Sequence, residues 1–193
     1  MKTSGALVLV VGPSGAGKDT LLDAARDALR EDRRFRFVRR VVTRPADAGG
    51  EAHEAVTAAE FAGRRFALAW EAHGWRYGIP DDIAADIAAG RVVIANVSRG
   101  VIAEAARRFP VKVVEITAPA DILEARLASR GREDAAGRSA RLARRMELPA
   151  GVPVETVSND ATPAAGAARL TAALIRATQG ACSAGTAAPP RPG

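Results

Sequence analysis

Apolar residues recur along the chain in two alternating patterns. Residues 6–11, Ala-Leu-Val-Leu-Val-Val, form an unbroken run with no polar position. Such a run predicts a strand covered on both faces. Residues 20–30 place Leu21, Leu22, Ala25 and Leu29 on one face of a helix. Strands are then predicted over 35–43, 91–96, 111–117 and 155–158, and helices over 58–65, 83–89, 101–108, 121–129, 137–146 and 163–178. Residues 44–56, rich in Gly, Ala and charge, read as a loop, and 130–134 as a charged turn. Between the short helices 58–65 and 83–89 lies an aromatic segment with Phe66, Trp70, Trp75 and Tyr77. Alternating strands and helices predict an α/β fold with a mostly parallel sheet. Residues 180–193 are Ala/Gly/Pro-rich without periodicity and read as a disordered tail, with Cys182 as an idle surface thiol. No internal repeat is visible.

Composition narrows the classes. A chain of 193 residues with 48% hydrophobic and 26% charged positions fits one globular domain, not a fibre or a disordered chain. A single cysteine excludes an internal disulfide. No apolar run reaches the ~18 residues of a membrane span, and the first apolar stretch runs into a glycine-rich turn without a cleavage site. The expectation is a cytoplasmic, soluble protein with no membrane partner. The balance of 28 basic against 22 acidic residues gives a net charge of +6. Such an excess suits polyanions, from nucleic acid to small phosphates. Nucleic-acid binders of single strands interleave aromatics with their cations, whereas here the aromatics cluster. The expectation is therefore no nucleic acid; most arginines lie on solvated helix faces and the rest hold phosphates.

The glycine-rich turn carries the chemistry. Gly12, Pro13, Ser14, Gly15, Ala16, Gly17 and Lys18 follow the first strand and precede the first helix. This is the G-x-x-x-x-G-K phosphate loop in the context it requires. Its backbone N–H groups and the helix N-terminus cradle phosphate oxygens, and the lysine reaches the β- and γ-phosphates of a nucleotide. Lys18 stands out because only Lys2 and Lys112 are also lysines. The general loop continues with Ser or Thr as a Mg²⁺ ligand. Here Asp19 occupies that place and Thr20 follows. Either oxygen can serve Mg²⁺, and the alternative is that Asp19 only complements the helix N-terminus.

From about residue 6 to 178 the chain resembles the guanylate-kinase-like P-loop kinases. The resembling pieces are Thr43-Arg44-Pro45 with Gly50-Glu51, Phe66 with His73-Gly74 and Tyr77-Gly78, Arg126 with Arg130-Gly131-Arg132-Glu133 and Arg141-Leu142, and Asn159-Asp160. The resemblance implies a three-layer sandwich with a parallel central sheet, a small acceptor-binding subdomain at about 35–90 and an Arg-rich lid at about 126–146. All of these fall within one domain, 1–179. It implies ATP as co-substrate with Mg²⁺, and places Asn159 near the adenine. The guanine readers are absent, however. Leu68 stands where guanylate kinases carry a glutamate, and residues 95–99 (Ala-Asn-Val-Ser-Arg) replace their D-x-D. A second arginine after T-R-x-P is missing as well, since residues 46–48 read Ala-Asp-Ala.

Lys18-Asp19, Glu51-x-His53, residues 70–80, Asn96-x-Ser98-Arg99 and residues 130–133 together resemble a closer family, the ribose 1,5-bisphosphate phosphokinases of phosphonate catabolism. That resemblance implies phosphorylation of ribose 1,5-bisphosphate to 5-phosphoribosyl 1-diphosphate. Lys18 and Asp19, with lid residues Arg130, Arg132 and Arg141, are then the catalytic candidates. Residues 12–20 and Asn159 would bind ATP, and Asp19 and Thr20 the metal. Arg44 and the weaker Arg40 would hold an acceptor phosphate with Tyr77, and Arg99 a second one. Asn96 and Ser98 would read ribose hydroxyls, and Glu51 and His53 belong to the same acceptor side. A salt bridge, a core tyrosine or a strand-end cap is the structural alternative for these residues. The rival functions are a guanylate kinase and a non-catalytic guanylate-kinase-like binding module. Oligomeric state is not legible.

Overall fold

The computed structural model describes residues 5–46, 52–129 and 148–179. Two sheets share one chain. The larger contains β1 (Ala6–Val11), β2 (Phe35–Phe37), β7 (Val92–Asn96), β8 (Val111–Thr117) and β9 (Val154–Ser158). Its order is β2-β7-β1-β8-β9, and every pairing is parallel. The smaller contains β3 (Val41–Val42), β4 (Glu54–Ala55), β5 (Phe66–Ala72) and β6 (Trp75–Pro80), in the order β4-β3-β6-β5.

β1 lacks polar residues because both of its faces are covered. Val8 and Val10 pack with Leu21, Leu22 and Ala25 of α1 (Lys18–Ala28), Leu123 of α5 (Ala120–Ser129), and Leu170 and Leu174 of α6 (Pro163–Gln179). Leu7, Leu9 and Val11 point the other way. They pack with Ile83 and Ile87 of α3 (Ile83–Ala88), with Ile102 and Ala105 of α4 (Ile102–Arg108), and with Ala67, Leu68 and Ile79 of the smaller sheet. The result is a helix–sheet–helix sandwich whose second face also carries the small sheet. A further short helix, α2 (Ala58–Ala62), starts at a capping box. Thr57 Oγ1 accepts from Glu60 N, and Glu60 Oε2 accepts from Thr57 N.

The predicted strand 35–43 is two strands. Phe35–Phe37 joins the large sheet and Val41–Val42 the small one. The break falls at residues 38–40, where Val38 N still donates to Ile94 O and the chain then crosses between sheets. The end of the predicted loop 44–56 pairs as β4. The aromatic segment, given no strand from its pattern, is a hairpin. His73 and Gly74 turn it with φ of 54° and 76°, the two positive values of a type I′ turn. Trp70 and Tyr77 stack across it, ring centroids 5.4 Å apart. The helix expected at 137–146, the turn at 130–134 and the tail at 180–193 lie outside the described residues, as do Glu51, Arg130, Arg132 and Arg141. No helix among the described residues is long and apolar enough to cross a membrane.

Candidate active site

β1 lies between β7 and β8; the chain runs from β1 to β2 at one edge of the sheet and from β8 to β9 at the other. Open α/β sheets bind ligands in the crevice at such a point, beyond the strands' carboxyl ends. The glycine-rich turn occupies that place. Gly12 has φ 155°, and a Cβ there would lie 2.2 Å from Ile116 O of the neighbouring strand, so only glycine fits. Gly17, at φ 84°, caps α1. The loop therefore opens directly onto the N-terminus of an eleven-residue helix, where backbone donors and the helix dipole both favour an anion. Lys18 folds its ammonium back over the loop and donates to Gly12 O (2.8 Å) and Pro13 O (3.1 Å).

The loop is held from behind. Asn159, just past β9, is 4% exposed and donates from Nδ2 to Ala16 O at 2.8 Å. Its own backbone N–H donates to Thr117 O. Arg126 on α5 donates to Gly15 O (3.4 Å) and Asn159 O (3.3 Å). Asn159 thus braces through Nδ2 the loop expected to receive nucleotide phosphates, while its Oδ1 has no hydrogen-bond partner among the described residues.

Asp19 and Thr20 part company. Asp19 Oδ1 accepts from Asn96 Nδ2 at 3.3 Å, beside the end of β7. Thr20 is exposed, about 100° further round the helix. Among the described residues no three His, Cys, Asp or Glu side chains gather as a ligand cage. Asp19 is the carboxylate that the loop itself brings to this place. That fits Mg²⁺, which keeps water and nucleotide phosphates as most of its ligands and takes only one or two carboxylates from protein.

Three acceptor-side candidates are occupied structurally. Arg99 donates from Nη2 to Glu115 Oε1 at 2.6 Å, with side-chain exposures of only 15% and 21%. The ion pair sets a carboxylate against the guanidinium expected to hold a second acceptor phosphate, and Glu115 stands beside Val11 in the sheet register. Ser98 is the N-cap of the 3₁₀ turn Arg99–Val101 and accepts from Gly100 N. Asn96 donates from Nδ2 to Asp19.

A second group forms on the small sheet. Arg40 lies over the face of Tyr77, 5.4 Å from its centroid, and Tyr77 stacks in turn on Trp70. Tyr77 is 7% exposed. Arg44 follows β3 and is clasped by one histidine. His53 Nε2 lies 3.0 Å from Arg44 O and His53 Nδ1 lies 3.5 Å from Arg44 Nη2. A guanidinium only donates and a carbonyl only accepts, so the arrangement matches the tautomer with its proton on Nε2. Arg39 donates to His53 O. His53 is buried against Arg44, the residue expected to hold an acceptor phosphate. Arg40 Nε, Arg44 Nε and Arg99 Nε are buried with no hydrogen-bond partner among the described residues. Leu68, at the missing guanine-reading position, is packed in the core between the sheets.

No family model matches the chain. Individual relatives do. It is 53% identical over 179 residues to the ribose 1,5-bisphosphate phosphokinase PhnN of Acidiphilium cryptum, covering 91% of this chain and 96% of that protein. The chain belongs to the ribose 1,5-bisphosphate phosphokinase family. The phosphokinase of that name from Methylobacterium radiotolerans is 49% identical, over 88% of this chain and 97% of its own length. The bifunctional ribose 1,5-bisphosphokinase-thymidine phosphorylase of Azorhizobium caulinodans is 50% identical, but the chain spans only 26% of its length. Among solved structures, a guanylate kinase from Anaplasma phagocytophilum superposes with a TM-score of 0.64 at 18% identity, over 92% of this chain and 88% of that one. This phosphokinase family member therefore has a guanylate-kinase-like fold. Two groups were not foreseen as parts of the site: the Asn159–Arg126 clamp on the loop and the Asp19–Asn96 pair. Arg126 and Asn159 stood in resembling motifs, but only the folded chain shows what they touch.

Proposed function

We infer that this chain transfers the γ-phosphoryl group of ATP to ribose 1,5-bisphosphate, giving 5-phosphoribosyl 1-diphosphate and ADP. Near-full-length identity of about half to phosphokinases of that name carries the reading. Two local observations support it. The loop of residues 12–18 is shaped for nucleotide phosphates, and Leu68 and residues 95–99 offer no carboxylate to hydrogen-bond guanine.

An ionised oxygen of the acceptor's 1-phosphate attacks the γ-phosphorus. A P–O bond forms, the bond to the β,γ-bridging oxygen breaks, and its electron pair leaves with ADP. The nucleophile is already anionic, so no strong general base is needed, and catalysis consists of positioning and charge neutralisation. Lys18 leaves the loop carbonyls for the β- and γ-phosphates. Mg²⁺, when bound, neutralises phosphate charge beside Asp19. Arg44, with Arg40 and Tyr77 beside it, receives an acceptor phosphate, and its planar fork suits that anion. Arg130, Arg132 and Arg141 belong to the lid expected over the nucleotide.

Product analysis with ATP and a panel of phosphorylated acceptors tests the reading. Ribose 1,5-bisphosphate is the expected acceptor, with GMP poorer by about 10⁴-fold in kcat/KM, the scale at which missing hydrogen-bond partners discriminate. A higher kcat/KM for GMP would return the chain to the guanylate kinases.

A further inference from the structure

In the general phosphate loop the residue after lysine is Ser or Thr, and its hydroxyl shares a cation with an acid from a strand. Here the two kinds of group have changed places. The loop contributes the carboxylate, Asp19, and the end of β7 contributes an amide, Asn96. The two side chains meet, Asn96 Nδ2 donating to Asp19 Oδ1 at 3.3 Å. Strand register makes the meeting possible. Asn96 lies beside Val10, two residues before the loop begins, so the end of β7 faces the first turn of α1. Asn96 is 5% exposed, and its amide has few ways to turn.

We propose that Asn96 is a positioning residue that fixes the Asp19 carboxylate for the nucleotide's cation, the pair being a polarity-reversed form of the loop hydroxyl and strand acid. The proposal rests on the phosphoryl-transfer reading. Its physical logic is charge. One carboxylate serves a cation that already has phosphate oxygens. A strand acid opposite Asp19 would set two anions within hydrogen-bond distance, and one of them would have to take up a proton whenever the cation is absent. An amide donor at that place leaves one negative charge and holds it. This also accounts for two departures at once: a carboxylate gained after Lys18 relative to the general loop, and carboxylates lost at residues 95–99 relative to guanylate kinases.

The test is a mutant cycle on the full chain: Asn96→Ala, Asn96→Asp, Asp19→Ser and the Asp19→Ser/Asn96→Asp double variant. Three quantities are measured: Mn²⁺ affinity of the ATP-loaded protein by electron paramagnetic resonance, thermal midpoint with and without Mg²⁺, and steady-state rates. Asn96→Ala is expected to weaken Mn²⁺ binding by about 10–100-fold, the usual effect of losing a residue that orients a metal ligand, while KM for the acceptor stays put. Asn96→Asp is expected to melt lower without Mg²⁺ and to recover when it is added. The double variant is expected to bind Mn²⁺ better than Asp19→Ser alone, by about tenfold or more, because coupled neighbours are non-additive. Should Asn96→Ala fail to fold, the near-isosteric Asn96→Asp and the double variant carry the same test. A raised acceptor KM with unchanged Mn²⁺ affinity overturns the proposal and assigns Asn96 to the sugar. So does a double variant equal to the sum of its singles. If the cycle couples but the wild type does not phosphorylate ribose 1,5-bisphosphate, the acceptor reading fails and the pair stands.

Discussion

Lys18 holds two loop carbonyls through its ammonium. Removing it takes away charge at the phosphates and leaves packing alone. Lys18→Ala is therefore expected to keep its thermal midpoint and lose about 10²-fold or more in kcat, the scale of deleting one group that stabilises transferring charge. A melt and an initial-rate assay on the same preparation check both halves; wild-type turnover in a folded variant would remove the phosphate-loop assignment. Asn159 behaves oppositely. Its amide is buried against Ala16 O, and Gly17 and Gly166 leave room for it on either side. Asn159→Ala strands a buried carbonyl, so a loss of about 1–3 kcal/mol in stability is expected, together with a raised KM for ATP as the loop loosens. Asn159→Asp is expected to raise that KM further, because it sets an acceptor against an acceptor and adds a negative charge beside the phosphates. Urea melts and ATP titrations of both variants decide this, and equal KM values for the two would argue against the clamp.

Edge strand β2 and helix α3 are joined by ions. Arg36 on β2 reaches Asp82 (2.8 Å) and Asp86, and Arg91 before β7 reaches Asp86 at 2.7 Å. Burial pushes the Asp86 carboxyl up, but the hydrogen bonds and charges of Arg36 and Arg91 outweigh it and hold the carboxyl below the usual range. A carboxyl with a lowered folded value adds stability that is complete above its unfolded value, ~3.9, and is lost as pH falls through the folded value. Asp86→Asn is thus expected to destabilise the protein by about 1–3 kcal/mol at neutral pH. The gap from wild type should close below about pH 4. Denaturant melts at pH 7 and pH 3 measure it, and a gap that persists unchanged into acid would assign the effect to packing. Among elements, strands buried on both faces and amphipathic helices were legible within two or three residues, β1 and β8 without error. The β5–β6 hairpin was not, because its alternation is broken by Ala69, Trp70 and Ala72. Its best signal was the His73-Gly74 turn, which needs a residue that tolerates positive φ beside a glycine. The T-x-x-E capping box at Thr57 was another readable mark, and Thr57→Ala is expected to cost about 1 kcal/mol in a denaturant melt.

Across the molecule, the phosphate loop stands on the large sheet, and both tryptophans stand on the small one, Trp70 in β5 and Trp75 in β6. Trp70 is the inner member of the Arg40–Tyr77–Trp70 stack. In a Trp75→Phe variant, ribose 1,5-bisphosphate is expected to change the fluorescence of Trp70 as Arg40 is drawn toward phosphate, and ATP alone to change it little. A full response to ATP alone would place the nucleotide, not the acceptor, against the small sheet. The single core that runs under both sheets, from Leu7 and Leu9 to Leu68 and Ile79, keeps the two groups on one framework.

The sequence by itself determined whatever depends on local pattern: the buried β1, the loop that must follow it, the lysine at its end, the alternating elements, and the loss of guanine-reading carboxylates. These are properties of spacing and residue type, and they survive without knowing any long-range contact. Only the tertiary structure decided which polar side chains meet one another. Arg99 meets Glu115 across β1, Asn96 is drawn to Asp19, Asn159 to Ala16, and His53 to Arg44. The distances in sequence between these partners range from 9 to 143 residues. A buried polar group takes the nearest fixed partner that folding supplies, and strand order, not spacing along the chain, determines which partner that is.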